Sequence, residues 1–183
     1  MTDAPAPESN AGTDAVNVRP LDLPALNATI AVLEAHVKPR LTQAVIGGLA
    51  GTILMTLMMY YVAPLMMSGP MDIASMLGDM MGMGSRMGML VHFLLGAVAF
   101  PALFAMVLWA KLPGGSGEMK GLVFGLLLWV IAQAVVMPMA GAGMFSANHP
   151  EPMMAILGSL IGHAVYGAVL GWWLDKSMGG EAA

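Results

Sequence analysis

His92-Phe93-Leu94-Leu95-Gly96-Ala97-Val98 and His163-Ala164-Val165-Tyr166-Gly167-Ala168-Val169 are two writings of one pattern, each inside a long apolar run. A second pair of marks precedes them. Gly47-xxx-Gly51 followed by Pro64 returns as Gly121-xxx-Gly125 followed by Pro138, with the same internal spacing. The order glycine pair, proline, histidine, twice over, is what a duplicated two-helix unit leaves behind. A unit with two membrane crossings gives both copies the same orientation, related by a pseudo-two-fold axis along the membrane normal. Histidines related in this way can face each other.

The apolar runs around these marks decide the class. Four of them, about 44–67, 87–110, 121–140 and 153–174, reach the roughly 20 residues that a spanning helix needs. None contains Asp, Glu, Lys or Arg. With 58% hydrophobic and 10% charged residues, the chain is too apolar for an ordinary soluble domain, whose charged share is about a quarter. The expected fold is all-α, an integral membrane four-helix bundle made of two tandem helical hairpins. Residues 1–24 read as a disordered tail, too poor in hydrophobic residues to offset ordering entropy. Residues 25–40 read as an amphipathic interfacial helix, since Leu26, Ile30, Leu33 and Val37 recur at helical spacing. The first hairpin then covers 44–110 with a Met-rich outer loop at 68–86, the second covers 121–174, and 175–183 form a short second tail. Within the outer loop, Asp72 is placed to cap a short helix in which Ile73, Met76, Leu77 and Met80 share a face.

Charge sets the expected orientation. Arg19, Lys38, Arg40, Lys111, Lys120 and Lys176 fall on one side of the four runs and Arg86 alone on the other. By the positive-inside rule both termini are cytoplasmic, in a bacterial inner membrane, and both histidine spans begin at the outer face. The net charge of −4 comes from the tail and loops, which gives no reason to expect nucleic acid as a partner. The expected surroundings are the lipid bilayer, with other membrane subunits or a second copy of the chain. The chain has no cysteine, which removes disulfides, thiolate metal sites and covalent c-type haem.

The candidates for chemistry are few. His92 and His163 come first, because an ionisable residue inside a span faces the bundle interior and imidazole is a common ligand of haem iron, copper and zinc. Each could instead hydrogen-bond a neighbouring carbonyl or hydroxyl, such as Ser159 or Tyr60, and hold helices together. Methionine comes second. The chain has 21 of them, and soft thioethers select Cu(I); Met66, Met67, Met80, Met81, Met137 and Met139, with His149 in the second outer loop, crowd the outer ends of the spans. Met is equally an adaptable apolar filler. Gln133, Tyr60 and Tyr166 add intramembrane polarity. Gly47, Gly51, Gly121, Gly125, Gly158, Gly162, Gly167 and Gly171 read as small-residue packing positions, and Pro64 and Pro138 as kinks. There is no nucleophile–base–acid set, no buried carboxylate pair and no phosphate-cradling loop, so the expectation is that the protein is not an enzyme.

Gly-Leu-Ala-Gly-Thr at 48–52, Ala-Pro-Leu-Met at 63–66, Met-Asp-Ile-Ala at 71–74, Val-Met-Pro-Met at 136–139 and Gly-His-Ala-Val-Tyr-Gly-Ala-Val-Leu-Gly at 162–171 resemble a family of small bacterial four-span inner-membrane proteins of unknown function. The resemblance covers about residues 44–174 and implies the architecture without an activity. The function expected from the residues is a non-catalytic accessory or binding subunit of an inner-membrane complex, respiratory in type, with a His/Met site for copper or haem near the outer face. A small transporter or channel built from parallel repeats, and a purely structural subunit without a ligand, stand as alternatives.

Overall fold

The computed structural model describes residues 22–69 and 71–179. Of the tail expected over residues 1–24, residues 1–21 lie outside them, as do residues 180–183, while Leu23 and Pro24 already belong to the first helix. Every regular element among the described residues is helical. Four helical segments, Arg40–Leu65, Gly84–Leu108, Gly117–Met139 and Pro152–Ser177, are long and apolar enough to cross a membrane. They are called the first to fourth spans below. The protein is a four-span membrane protein whose environment is a lipid bilayer.

The first span begins as part of a longer helix. Leu23–Leu57 is one continuous helix of 35 residues, so the separate interfacial helix expected over 25–40 is instead its N-terminal extension. No glycine interrupts the join. The Glu34–Lys38 ion pair at 3.2 Å and the Thr42 hydroxyl donating to the Lys38 carbonyl at 2.9 Å carry the helix across it. Asp22 starts it by accepting the Ala25 N–H at 3.1 Å.

The fourth span is central, packed along both the third and the first. Glycines make this possible. A Cβ at Gly121 would lie 2.0 Å from the Gly167 carbonyl oxygen, and one at Gly171 2.1 Å from that of Gly117. The third and fourth spans therefore meet backbone to backbone, as small-residue stripes allow in lipid. Gly47 and Gly51 also face the fourth span, at Trp173 and Tyr166. The second span packs on the first through Gly48 against Pro101 and Gly96 against Thr52. Between the second and third spans the Phe104 and Phe124 rings stack at 4.9 Å. That stack lies toward the end of the bundle that carries the termini. Toward the loop end both spans border a cavity.

Three of the spans contain a π-helical turn, and its position repeats. Met58–Val62, Leu95–Ala99 and Ala132–Val136 each end two residues before a proline, at Pro64, Pro101 and Pro138. Proline has no N–H and crowds the carbonyl one turn back, so the hydrogen-bond ring widens to five residues. The next N–H along already goes to the wider ring, Ala63 to Met58 O and Phe100 to Leu95 O. The carbonyl five residues before the proline is left without a helical donor. Two such carbonyls find partners from elsewhere in the chain: Met59 O accepts the Met71 N–H at 3.1 Å, and Gly96 O accepts the Tyr166 hydroxyl at 2.7 Å. In a bilayer core no water would do this.

The loop between the first two spans forms a helix, Ile73–Met80. Asp72 caps it, accepting the Ser75 N–H at 3.0 Å and hydroxyl at 2.7 Å and also the Tyr60 hydroxyl at 2.7 Å. The helix lies on the start of the second span where Gly88 allows it: a Cβ there would lie 1.9 Å from the Ala74 carbonyl. The second loop is tied down differently. Phe145 and Ser146 both adopt positive φ; the Phe145 ring rests on Trp129, and the Ser146 hydroxyl donates to Gln133 Oε1 at 2.9 Å. Glu151 joins the two loops, accepting the Ser68 N–H at 3.0 Å and the Ser68 hydroxyl.

Candidate functional site

A cavity of about 140 Å³ lies between the loop-side halves of the four spans, roofed by the loop helix. Each span supplies residues at helical spacing: Thr52, Met55 and Met59 from the first, and His92, Gly96 and Phe100 from the second. The third gives Leu128, Ala132 and Val136, the fourth Ser159, His163 and Tyr166. Ile73, Met76 and Leu77 of the loop helix close the top, with Met71 at its start. All three proline-linked π-turns contribute lining residues, which is how a broken helical ladder comes to border a site.

The structure brings His92 and His163 to this one cavity. Their hydrogen bonds define which nitrogen carries a proton. His163 Nδ1 lies 2.8 Å from the Ser159 carbonyl oxygen, which accepts only, so Nδ1 is the N–H and Nε2 keeps its lone pair. His92 Nε2 lies 3.0 Å from Thr56 Oγ1. That hydroxyl has one proton, and its shorter contact, 2.7 Å, is with the Thr52 carbonyl. His92 Nε2 is therefore the donor and Nδ1 keeps the lone pair.

Two further hydroxyl hydrogens around the cavity are spent in the same way, while the Ser159 hydroxyl has only a 3.4 Å contact with His163 Nδ1. The Thr52 hydroxyl donates to Gly48 O at 2.7 Å and the Tyr166 hydroxyl to Gly96 O. The cavity offers a set of Lewis bases: two imidazole nitrogens and the thioethers of Met55, Met59, Met71, Met76 and Met137. No carboxylate lines the cavity, and among the described residues no cluster of three His, Cys, Asp or Glu exists that could hold a metal. Any metal here would need methionine to complete its shell.

Of the six methionines named above as candidates, Met137 alone reaches the cavity, although Met71 and Met76 of the same crowded outer stretch also line it. Met66 and Met139 are 42% and 65% exposed, and Met67, Met80 and Met81 lie outside the lining. Crowding reports distance along the chain and not direction around a helix. Met55 and Met59 were missed, although they stand three and seven residues after Thr52 on the face that a polar residue marks as internal. His149 is also elsewhere, its Nδ1 accepting the Glu151 N–H at 3.1 Å. Gln133 is fully buried and turned to the second loop. Tyr60 reaches Asp72 rather than a histidine. Gly158 faces Met71, Gly162 faces Met55, and Gly125 touches the His163 backbone.

Outside the spans, two carboxyl groups respond to their partners. The Tyr60 hydroxyl, then the Ser75 backbone and hydroxyl, hold Asp72 below the usual carboxylate range. Ser68 does the same for Glu151. Both carboxylates thus stay charged while they fasten the loops over the cavity.

A family model described as "Family of unknown function (DUF6789)" matches residues 39–181, a stretch that contains all four spans. No curated protein and no solved structure gives a significant match.

Proposed function

The chain belongs to this family of unknown function, and from the donor inventory of its cavity we propose that it is a non-catalytic membrane subunit that holds one Cu(I) ion. The single observation that carries this reading is that the cavity gathers two imidazole rings and five methionine thioethers and has no carboxylate in its lining. Such a lining suits a cation. Thioethers select a soft one. A monovalent ion fits best, because no carboxylate is present to offset a second charge in a medium of low dielectric. The bond from His163 Nδ1 to Ser159 O is the kind of outer contact that fixes a metal-ligating imidazole with its other nitrogen forward.

Volume supports copper over haem, the other ligand that the sequence leaves open. About 140 Å³ matches the size of an engineered cavity of roughly 150 Å³ that admits benzene or xenon. A porphyrin is far larger. The roles on this reading are His92 and His163 as nitrogen ligands, the cavity methionines as sulfur ligands, and Thr56 and Ser159 as the groups that orient the rings. The working context is an accessory subunit of a respiratory-type complex in the inner membrane, with the loop helix on the outer side.

The test is Cu(I) competition against a chromogenic chelator, with the full chain in detergent under anaerobic, reducing conditions. The expected result is one Cu(I) per chain. His163→Ala should weaken binding more than tenfold and Thr56→Val about tenfold, the lower end for loss of an outer-shell partner. Met66→Leu and Met139→Leu should bind as the parent does. A parent protein that leaves all copper with the chelator overturns the reading, as does equal weakening by the exposed and the cavity substitutions.

A further inference from the structure

A second pocket, of about 150 Å³, opens at the opposite end of the bundle among Arg40, Trp109, Asp175 and Met178. The ends of all four spans meet there. Arg40 opens the first span, Trp109 directly follows the second, Lys120 lies in the first turn of the third, and Asp175 in the last turn of the fourth. The Arg40 guanidinium carbon stands 5.4 Å from the Trp109 ring centroid and the Lys120 ammonium 5.1 Å from it. The indole gathers two cations at the rim of the apolar region.

Among the described residues neither cation is in an ion pair. Glu34–Lys38 is the sole ion pair among the described residues, so Asp175 neutralises neither Arg40 nor Lys120 by contact. Arg40 Nε is moreover shut off from water without a hydrogen-bond partner. An unpaired buried donor on a charged group is costly, which leaves the rest of the guanidinium to find an acceptor. Arg40 and Asp175 line the pocket itself, and Lys120 adds a second cation across the Trp109 ring.

We propose that this pocket binds a phosphate group, with Arg40 as the directional contact and Lys120 as the second charge. Phosphate offers several acceptor oxygens to the guanidinium fork. Basic pockets between membrane helices at the headgroup level suit an anionic phospholipid. The position of the pocket at the ends of the spans makes the headgroup the nearer source, and a soluble phosphate would bring the same chemistry. Trp109 supplies the floor of the pocket, and the acyl chains of a bound lipid would lie along the exposed apolar faces of the spans beside it.

The experiment is native mass spectrometry of the full chain released from nanodiscs that hold phosphatidylglycerol and phosphatidylcholine in equal amounts. Both lipids carry the phosphodiester, and choline brings the headgroup to net zero, so the comparison reads net charge. The parent protein should retain phosphatidylglycerol preferentially, and Arg40→Gln with Lys120→Gln should each remove about fivefold of that preference. Arg40→Lys, which keeps the charge, should retain most of it. Inorganic phosphate titrated into the sample distinguishes the sources: displacement of the lipid assigns the site to soluble phosphate, and persistence assigns it to the headgroup. Equal retention of the two lipids with no effect of inorganic phosphate overturns the proposal, and so does an Arg40→Gln/Lys120→Gln protein indistinguishable from the parent. Cu(I) stoichiometry, measured on the same variants, should be unchanged, which keeps this test separate from that of the cavity.

Discussion

Gly125→Ala tests how tightly the histidine cavity depends on the packing beneath it. A Cβ at residue 125 would lie 2.2 Å from the His163 carbonyl oxygen and 3.1 Å from its carbonyl carbon. Real Cβ contacts essentially never fall under 3.0 Å, so the third and fourth spans must separate locally by at least 3.0 − 2.2 = 0.8 Å. The obstacle is backbone, so a change of rotamer cannot absorb it. Overpacking of this kind costs about 1–3 kcal/mol, which corresponds to roughly 5- to 150-fold in an equilibrium constant. The turn that moves is the one that carries His163, and copper affinity should fall along with stability. Gly162→Ala is the matched control. Its Cβ would meet only the Met55 side chain, at 3.4 Å and 3.6 Å, and the gain in helix propensity of about 1 kcal/mol should leave it neutral or stabilised. The assay is denaturant unfolding in detergent micelles followed by far-UV circular dichroism, with Cu(I) competition on the folded protein. A Gly125→Ala protein as stable as Gly162→Ala would refute the backbone-to-backbone contact between the third and fourth spans. It would also refute the account of how His163 is held.

Two further outcomes follow from the loops. Asp72 has its carboxyl lowered by the Tyr60 hydroxyl and by Ser75, so its contribution to folding is complete above the unfolded value of 3.8 and is lost as pH falls through the lower folded value. Hydrogen exchange of residues 73–80 should therefore quicken on going from neutral to strongly acidic pH, and Asp72→Ala, which removes a helix cap worth about 1 kcal/mol, should show the quicker exchange already at neutral pH. Gln133 and Ser146 form a buried pair. Gln133→Leu should destabilise by about 1–3 kcal/mol through the unpaired serine hydroxyl, while Gln133→Leu with Ser146→Ala should recover most of that loss; additive losses in a double-mutant unfolding cycle would exclude the coupling.

The four spans, the uncharged run at the middle of each, the doubled order of glycine, proline and histidine, and the cap at Asp72 were all legible in the residues. Each is a local property: a run long enough to cross hydrocarbon, a ring that cannot donate, a carboxylate before a short helix. Pro101 was legible too and went unremarked, although it stands as far behind its π-turn as Pro64 and Pro138 do behind theirs. The continuous helix Leu23–Leu57 shows the limit of a local pattern, since an amphipathic stretch beside an apolar one looks the same whether or not the chain turns between them.

Tertiary structure alone decided which atoms the cavity offers. A helix in lipid is apolar all round, so its sequence carries no contrast between an inward and an outward face, and twenty-one methionines look alike until packing turns five of them inward. The tautomers of His92 and His163 depend on Thr56 and Ser159, and the first of these is 36 residues away. The donors that satisfy Met59 O and Gly96 O come from 12 and 70 residues away. The repeat proposes a symmetric bundle, yet the fourth span lies close against the first while the second and third spans border a cavity toward the loops. Backbone contact through unevenly placed glycines closes one side and leaves room for a site on the other.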